Sequence, residues 1–139
     1  MGAINHVAFS NDNRFLLTSS DDRMAKVWTV ADYRLRFTLK GHRASVVSAV
    51  FTDNDKTILT ASTDNTIRKW GFPYPFYSGV LETQGNRLEG LSFTSDGKKA
   101  IAVDRTGQVF EWAYNGGLNF VLNQKYPLNG TAGLTCMAL

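Results

Sequence analysis

The chain has 139 residues, of which 43% are apolar, 12% aromatic and 19% charged, a balance that supports a packed core and excludes wholesale disorder. Fifteen Lys and Arg against twelve Asp and Glu leave a formal charge of +3, scattered along the chain, which does not argue for nucleic acid. One cysteine, Cys136, excludes a disulfide framework or a cysteine-built metal site, and no apolar run approaches the roughly 20 residues of a membrane span.

The opening MGAINHVAFS lacks the basic start and apolar core of a secretory signal, so an intracellular location, cytoplasmic or nuclear, is expected. Gly2 carries no myristoylation signal, because His6 stands where a hydroxyl residue is required.

From there the chain repeats itself. Phe9, Phe51 and Phe93 stand 42 residues apart, and so do Trp28, Trp70 and Trp112. Each Phe opens a polar turn: FSNDN at 9–13, FTDND at 51–55, FTSDG at 93–97. An apolar run follows in FLLTSS, TILTAS and KAIAVD, then a second turn, then an alternating run closing on Trp in MAKVW, TIRKW and QVFEW. Period-2 alternation and β-branched or aromatic enrichment predict four strands per unit and no helix. In the second unit they fall at 46–51, 57–61, 66–70 and 76–82. The stretch 45–51 is nearly apolar on both faces, which suits an innermost strand. Four-stranded antiparallel units at this period imply radial blades.

These features resemble the WD-repeat β-propeller family. Gly41-His42, Ser62-Thr63-Asp64 and Trp70 carry the likeness in the second unit; Ser20-Asp21-Asp22 and Trp28 carry it in the first. The resemblance implies an all-β fold of three four-stranded antiparallel blades plus one extra strand, in an incomplete or oligomer-completed propeller. The repeats span about 1–42, 43–84 and 85–129, with a fourth starting over 130–139, where 134–139 resembles the first strand at 4–9. Such a chain opens and closes in a blade's first strand. The ring is then finished by the rest of a longer chain, by a second copy, or by a partner chain.

The resemblance further implies a hydrogen-bonded chain through His42, Ser62 (or Thr60 on the same face), Asp64 and Trp70, with Asp22 and Trp28 as its counterparts in the first unit. A buried carboxylate needs such donors. A His–Ser–Asp trio also invites a hydrolase reading, but a triad needs an exposed nucleophile on its own base. In the third unit Thr83-Gln84 and Thr106 replace the motif, so that blade is expected to lack the polar chain and to rest on Leu91, Phe93, Ile101, Val109 and Phe110.

No cofactor or metal motif is present: there is no GxGxxG, no P-loop, and the NDN and DND clusters lack the Gly and Glu of a calcium loop. Asn129-Gly-Thr131 is read as a loop coincidence rather than a glycosylation site, and Cys136 as a small buried hydrophobe. The expected function is therefore a surface property: a non-enzymatic scaffold for a protein or peptide partner, or alternatively a structural part of a large protein or ribonucleoprotein assembly. Direct catalysis and nucleic-acid binding rank below both. By register the family's partner-binding loop face offers Asn5, Asp21, Ser45, Val47, Thr63, Arg87, Glu89 and Arg105, with Arg43 beside them. A second candidate is the segment 71–77, whose Tyr74 and Phe76 either cover the blade's edge or meet a partner.

Overall fold

The computed structural model describes residues 2–52, 54–73, 77–82, 87–94, 98–114 and 120–127. Among the described residues twelve strands follow in chain order. The first blade holds β1 (Ile4–Phe9), β2 (Phe15–Ser20), β3 (Met24–Thr29) and β4 (Leu35–Lys40). The second holds β5 (Val46–Thr52), β6 (Thr57–Ser62), β7 (Thr66–Gly71) and β8 (Tyr77–Glu82). The third holds β9 (Leu88–Phe93), β10 (Lys99–Asp104), β11 (Gln108–Tyr114) and β12 (Phe120–Pro127). Each blade is a four-stranded sheet with its strands in sequence order, every neighbouring pair antiparallel. Tyr74, Phe76, Cys136 and the extra strand expected at 134–139 lie outside the described residues.

Local chemistry sets the same hairpin three times. Between the second and third strands, Arg23, Asn65 and Gly107 each donate a backbone N–H to the residue three before, Ser20, Ser62 and Asp104. All three have positive φ, at 69°, 65° and 79°. This is a type I turn closed by a left-handed residue, a geometry that suits Gly and Asn and strains Arg23.

The blades pack through two interblade cores. Leu17, Ala25, Val27 and Leu39 of blade one meet Val46, Ala49, Ile58 and Trp70 of blade two. Leu59, Ala61 and Ile67 on the other face of blade two meet Leu88, Leu91, Phe110 and Trp112 of blade three. Alternation along each strand sends successive residues to opposite faces, so one blade serves two cores. Strand β5 packs against both β1 and β9, which explains why it is apolar on both sides. The inner strands are also pinned by side chains. His6 Nδ1–H donates to the Ala49 carbonyl at 3.2 Å, and Ser48, at the equivalent position, donates to the Leu91 carbonyl at 2.9 Å.

Phe72 belongs to the first interblade core. Its ring stands edge-on to Phe15, Phe51 and Phe37 at 5.0, 5.4 and 6.1 Å. This part of the 71–77 segment therefore seals the junction of blades one and two.

Candidate functional site

Two sets of polar residues follow from this frame: one inside blade two, one along the rim. In blade two, His42 enters just before the inner strand. Gly41 has φ +149°, a backbone conformation that residues with a Cβ rarely adopt, and a Cβ there would also have to displace the Arg68 guanidinium, so the backbone favours Gly in the Gly-His pair. His42 Nδ1 contacts Asp64 Oδ2 at 2.9 Å, and its Nε2 contacts Thr60 Oγ1 at 2.7 Å. Trp70 Nε1–H donates to the same Thr60 oxygen at 3.0 Å. The Asp64 carboxylate can only accept, so Nδ1–H donates to it; in the neutral imidazole that burial favours, Nε2 then accepts from the Thr60 hydroxyl. Burial pushes the His42 pKa below its ordinary value of 6.5, and Asp64 does not offset it. Burial alone would raise Asp64, but the Thr66 hydroxyl, the Arg43 N–H and His42 outweigh it and hold the carboxyl at about 2.

Of the two hydroxyls expected for this chain, Thr60 is the link; Ser62 is not, which corrects the first-named choice. Ser62 Oγ accepts the Asp64 N–H at 3.1 Å and donates to the Ala44 carbonyl at 3.1 Å, closing the turn instead. The reason is strand periodicity: Thr60 and Ser62 share a face, but only Thr60 lies between imidazole and indole. The arrangement holds no hydrolytic triad, because Ser62 is not bonded to His42 and Thr60 is fully buried.

The other blades depart from this pattern. In blade one Trp28 Nε1–H donates to Thr18 at 3.0 Å, matching Trp70 and Thr60. Asp22 instead pairs with Lys26 at 2.7 Å and is not joined to Trp28. In blade three Ala102 stands where the hydroxyl would be, and Trp112 stacks on Phe110 at 5.8 Å. The turn there does keep a buried carboxylate. Asp104 Oδ1 accepts from the N–H of Thr106 and Gln108 and from the Thr106 hydroxyl at 2.6–2.9 Å. The sequence reading missed Asp104, because it sits at the Ser62 position rather than the Asp64 one. Of the apolar residues expected to hold blade three, Leu91, Phe93 and Phe110 lie in the core shared with blade two, while Val109 is buried and Ile101 half-buried elsewhere.

Along the rim, the same two positions of each blade meet. Asp21 N–H donates to Ala3 O at 3.0 Å, Thr63 N–H to Ser45 O at 2.9 Å, and Arg105 N–H to Arg87 O at 2.8 Å. Next to them, the pairing of first and second strands slips by one residue in every blade, at Asn5, Val47 and Glu89. Such bulges re-aim a side chain out of the ladder. Asn5 Nδ2–H reaches Asp21 Oδ1 at 2.9 Å and the Val46 carbonyl at 3.0 Å, bridging blades one and two. Ser45 also donates to Asp21 Oδ1. The Ser45 hydroxyl, the Asn5 amide and the nearby charge of Arg87 lower the Asp21 pKa. Arg87 lies 3.8 Å from Glu89; Arg43, Arg87 and Arg105 are exposed. Val47 turns inward and packs against the second interblade core. The structure thus brings Asn5, Asp21 and Ser45 into one bonded cluster and places Thr63, Arg87, Glu89 and Arg105 along the same edge.

The WD40 family model (WD domain, G-beta repeat) matches this chain at residues 1–29 and 33–71. The chain belongs to the WD-repeat family. Its WD40 blades superpose on the C-terminal WD40 domain of Sif2 with a TM-score of 0.79 at 24% identity, covering 94% of this chain and 38% of that one. Topless-related protein 3 of Arabidopsis thaliana is 39% identical over 120 residues, 81% of this chain and 11% of the relative. The periodic tryptophan protein 2 homolog of Neurospora crassa is 42% identical over 72 residues, 50% of this chain and 8% of the relative. The SIR4-interacting protein SIF2 of Saccharomyces cerevisiae is 27% identical over 108 residues, 78% of this chain and 20% of the relative. This WD40 chain therefore spans a fifth or less of these curated relatives. Among its described residues, no group of three His, Cys, Asp or Glu is placed to hold a metal ion, and no helix is long and apolar enough to cross a membrane.

Proposed function

We propose that the chain is a non-enzymatic protein-interaction scaffold whose rim presents side chains to a protein or peptide partner. The rim itself carries this reading. Three blades bring equivalent positions to one edge, and those positions hold different chemistry: Ala3, Asn5 and Asp21, then Ser45 and Thr63, then Arg87, Glu89 and Arg105. Repetition supplies the frame and variation supplies selectivity. A relative named for its interaction with SIR4 supports a protein partner. The division into repeats near 1–42, 43–84, 85–129 and 130–139 belongs to the same proposal.

The test is a bulky substitution at the rim of blade two, Thr63→Trp. Co-purifying proteins are lost while the melting temperature holds. Retention of the same proteins would overturn the reading.

A second reading, a structural element wedged into a larger assembly, is supported by the open face of blade one. Phe9, Leu16, Trp28, Val30 and Tyr33 surround an apolar hollow of about 420 Å³ there. Their counterparts Phe51, Ile58, Trp70 and Phe72, 42 residues on, are covered by blade one. The flank of a further blade, from this chain's own protein, a second copy or another subunit, fits this face.

A further inference from the structure

We propose that the rim is electrically polarised, so that a partner peptide lies across the three blades in one direction, its acidic end at blade three and its basic end at blade one. This rests on the rim being the partner-binding face. Its starting point is the pair of positions joined by the repeated backbone bond. In blade one that pair is Ala3 and Asp21, with one negative charge; in blade two it is Ser45 and Thr63, with none; in blade three it is Arg87 and Arg105, with two positive charges. With exposed Arg43 beside the blade-two pair and Glu89 beside the blade-three pair, the edge is negative at blade one and carries one net positive charge at each of blades two and three, close enough for Arg87 to act on Asp21.

Both ends are held for use. Asp21 has one oxygen fixed by Asn5 and by Ser45 and remains exposed, so its direction is set before a ligand arrives. Arg87 and Arg105 are exposed and share a backbone hydrogen bond, so their side chains leave from neighbouring points. Two guanidinium groups so placed suit carboxylates. Glu89, 3.8 Å from Arg87, and Asp21 itself would repel a uniformly anionic ligand, which favours a peptide of mixed charge over nucleic acid.

Three labelled Ser-Gly peptides of equal length test this on the full chain by fluorescence anisotropy: one with a Glu pair at one end and a Lys pair at the other, one with Glu alone, one with Lys alone. The mixed peptide binds best, and raising salt weakens it. Arg87→Ala with Arg105→Ala weakens the mixed and Glu peptides by about fivefold and leaves the Lys peptide unchanged. Asp21→Asn weakens the mixed peptide and strengthens the Glu peptide. Equal affinity for all three peptides, or tighter binding of a labelled single-stranded RNA, would overturn the inference. If binding is indifferent to charge yet Thr63→Trp still strips co-purifying proteins, the polarity falls and the rim reading stands. If Thr63→Trp changes nothing either, both fall.

Discussion

Trp70 and His42 meet at a single oxygen. The indole N–H donates to Thr60 Oγ1 at 3.0 Å, and that hydroxyl lies 2.7 Å from the imidazole. Thr60 is fully buried, so its loss leaves two polar nitrogens without water. Thr60→Val keeps the shape and removes the oxygen; it should cost about 1–3 kcal/mol. Ser62→Ala loses the turn's bond to Ala44 and the Asp64 N–H, and should cost less, about 1 kcal/mol. Chemical denaturation of the two variants checks the order. If Ser62→Ala is the more damaging, the assignment of the hydroxyl is wrong.

Acid should loosen the same site in two stages. The folded His42 pKa lies below 6.5, so the folded state favours neutral imidazole. That contribution is complete above 6.5 and fades as pH falls below it. Asp64 is held at about 2 against an ordinary 3.8, so its contribution is present above 3.8 and is lost as pH falls toward 2. The melting temperature should therefore decline below 6.5 and steepen below 3.8. In His42→Gln the first decline should shrink; a profile identical to the parent would refute the coupling.

Arg23 is the misfit among three equivalent turn residues. Asn65 and Gly107 tolerate positive φ, whereas Arg23 at 69° does not favour it. Arg23→Gly should stabilise by roughly 0.5–1 kcal/mol, measured as a shift in denaturant midpoint with unchanged slope. Asn65→Val, a β-branched residue at the same geometry, should destabilise by about 1 kcal/mol or more.

Phe72 closes the seam between blades one and two with three edge-on ring contacts. Because the ring is half-buried, Phe72→Ala should cost about 3 kcal/mol, the low end for a core Phe. Phe72→Leu should recover a large part of that. Near-ultraviolet circular dichroism, which reports ring packing, should change with Ala and far less with Leu.

Trp28 is half-buried, while Trp70 and Trp112 are 5% and 2% exposed. Iodide should quench Trp28 most strongly in the isolated chain. Covering blade one's open face with another blade should protect it and shift its emission to the blue. Unchanged quenching in the assembled protein would count against that face as a junction.

Much of this molecule was already legible in its residues. The 42-residue recurrence of Phe9, Phe51 and Phe93 and of Trp28, Trp70 and Trp112 dictated four short strands per unit, because period-2 alternation and turn chemistry act over a few residues. Strands expected at 46–51, 57–61 and 66–70 are observed as Val46–Thr52, Thr57–Ser62 and Thr66–Gly71. Tertiary structure decided the rest. That Thr60 and not Ser62 sits between His42 and Trp70 depends on how the Gly41-His42 segment crosses the sheet. The transfer of a turn carboxylate to Asp104 depends on which backbone N–H groups face it. The one-residue slips that turn Asn5 and Glu89 toward the rim leave no mark in composition, since a bulge is a mismatch between two strands, each of which reads as regular alone. Local periodicity thus set the strands and their order, while contacts between segments some 40 residues apart set which side chains face one another.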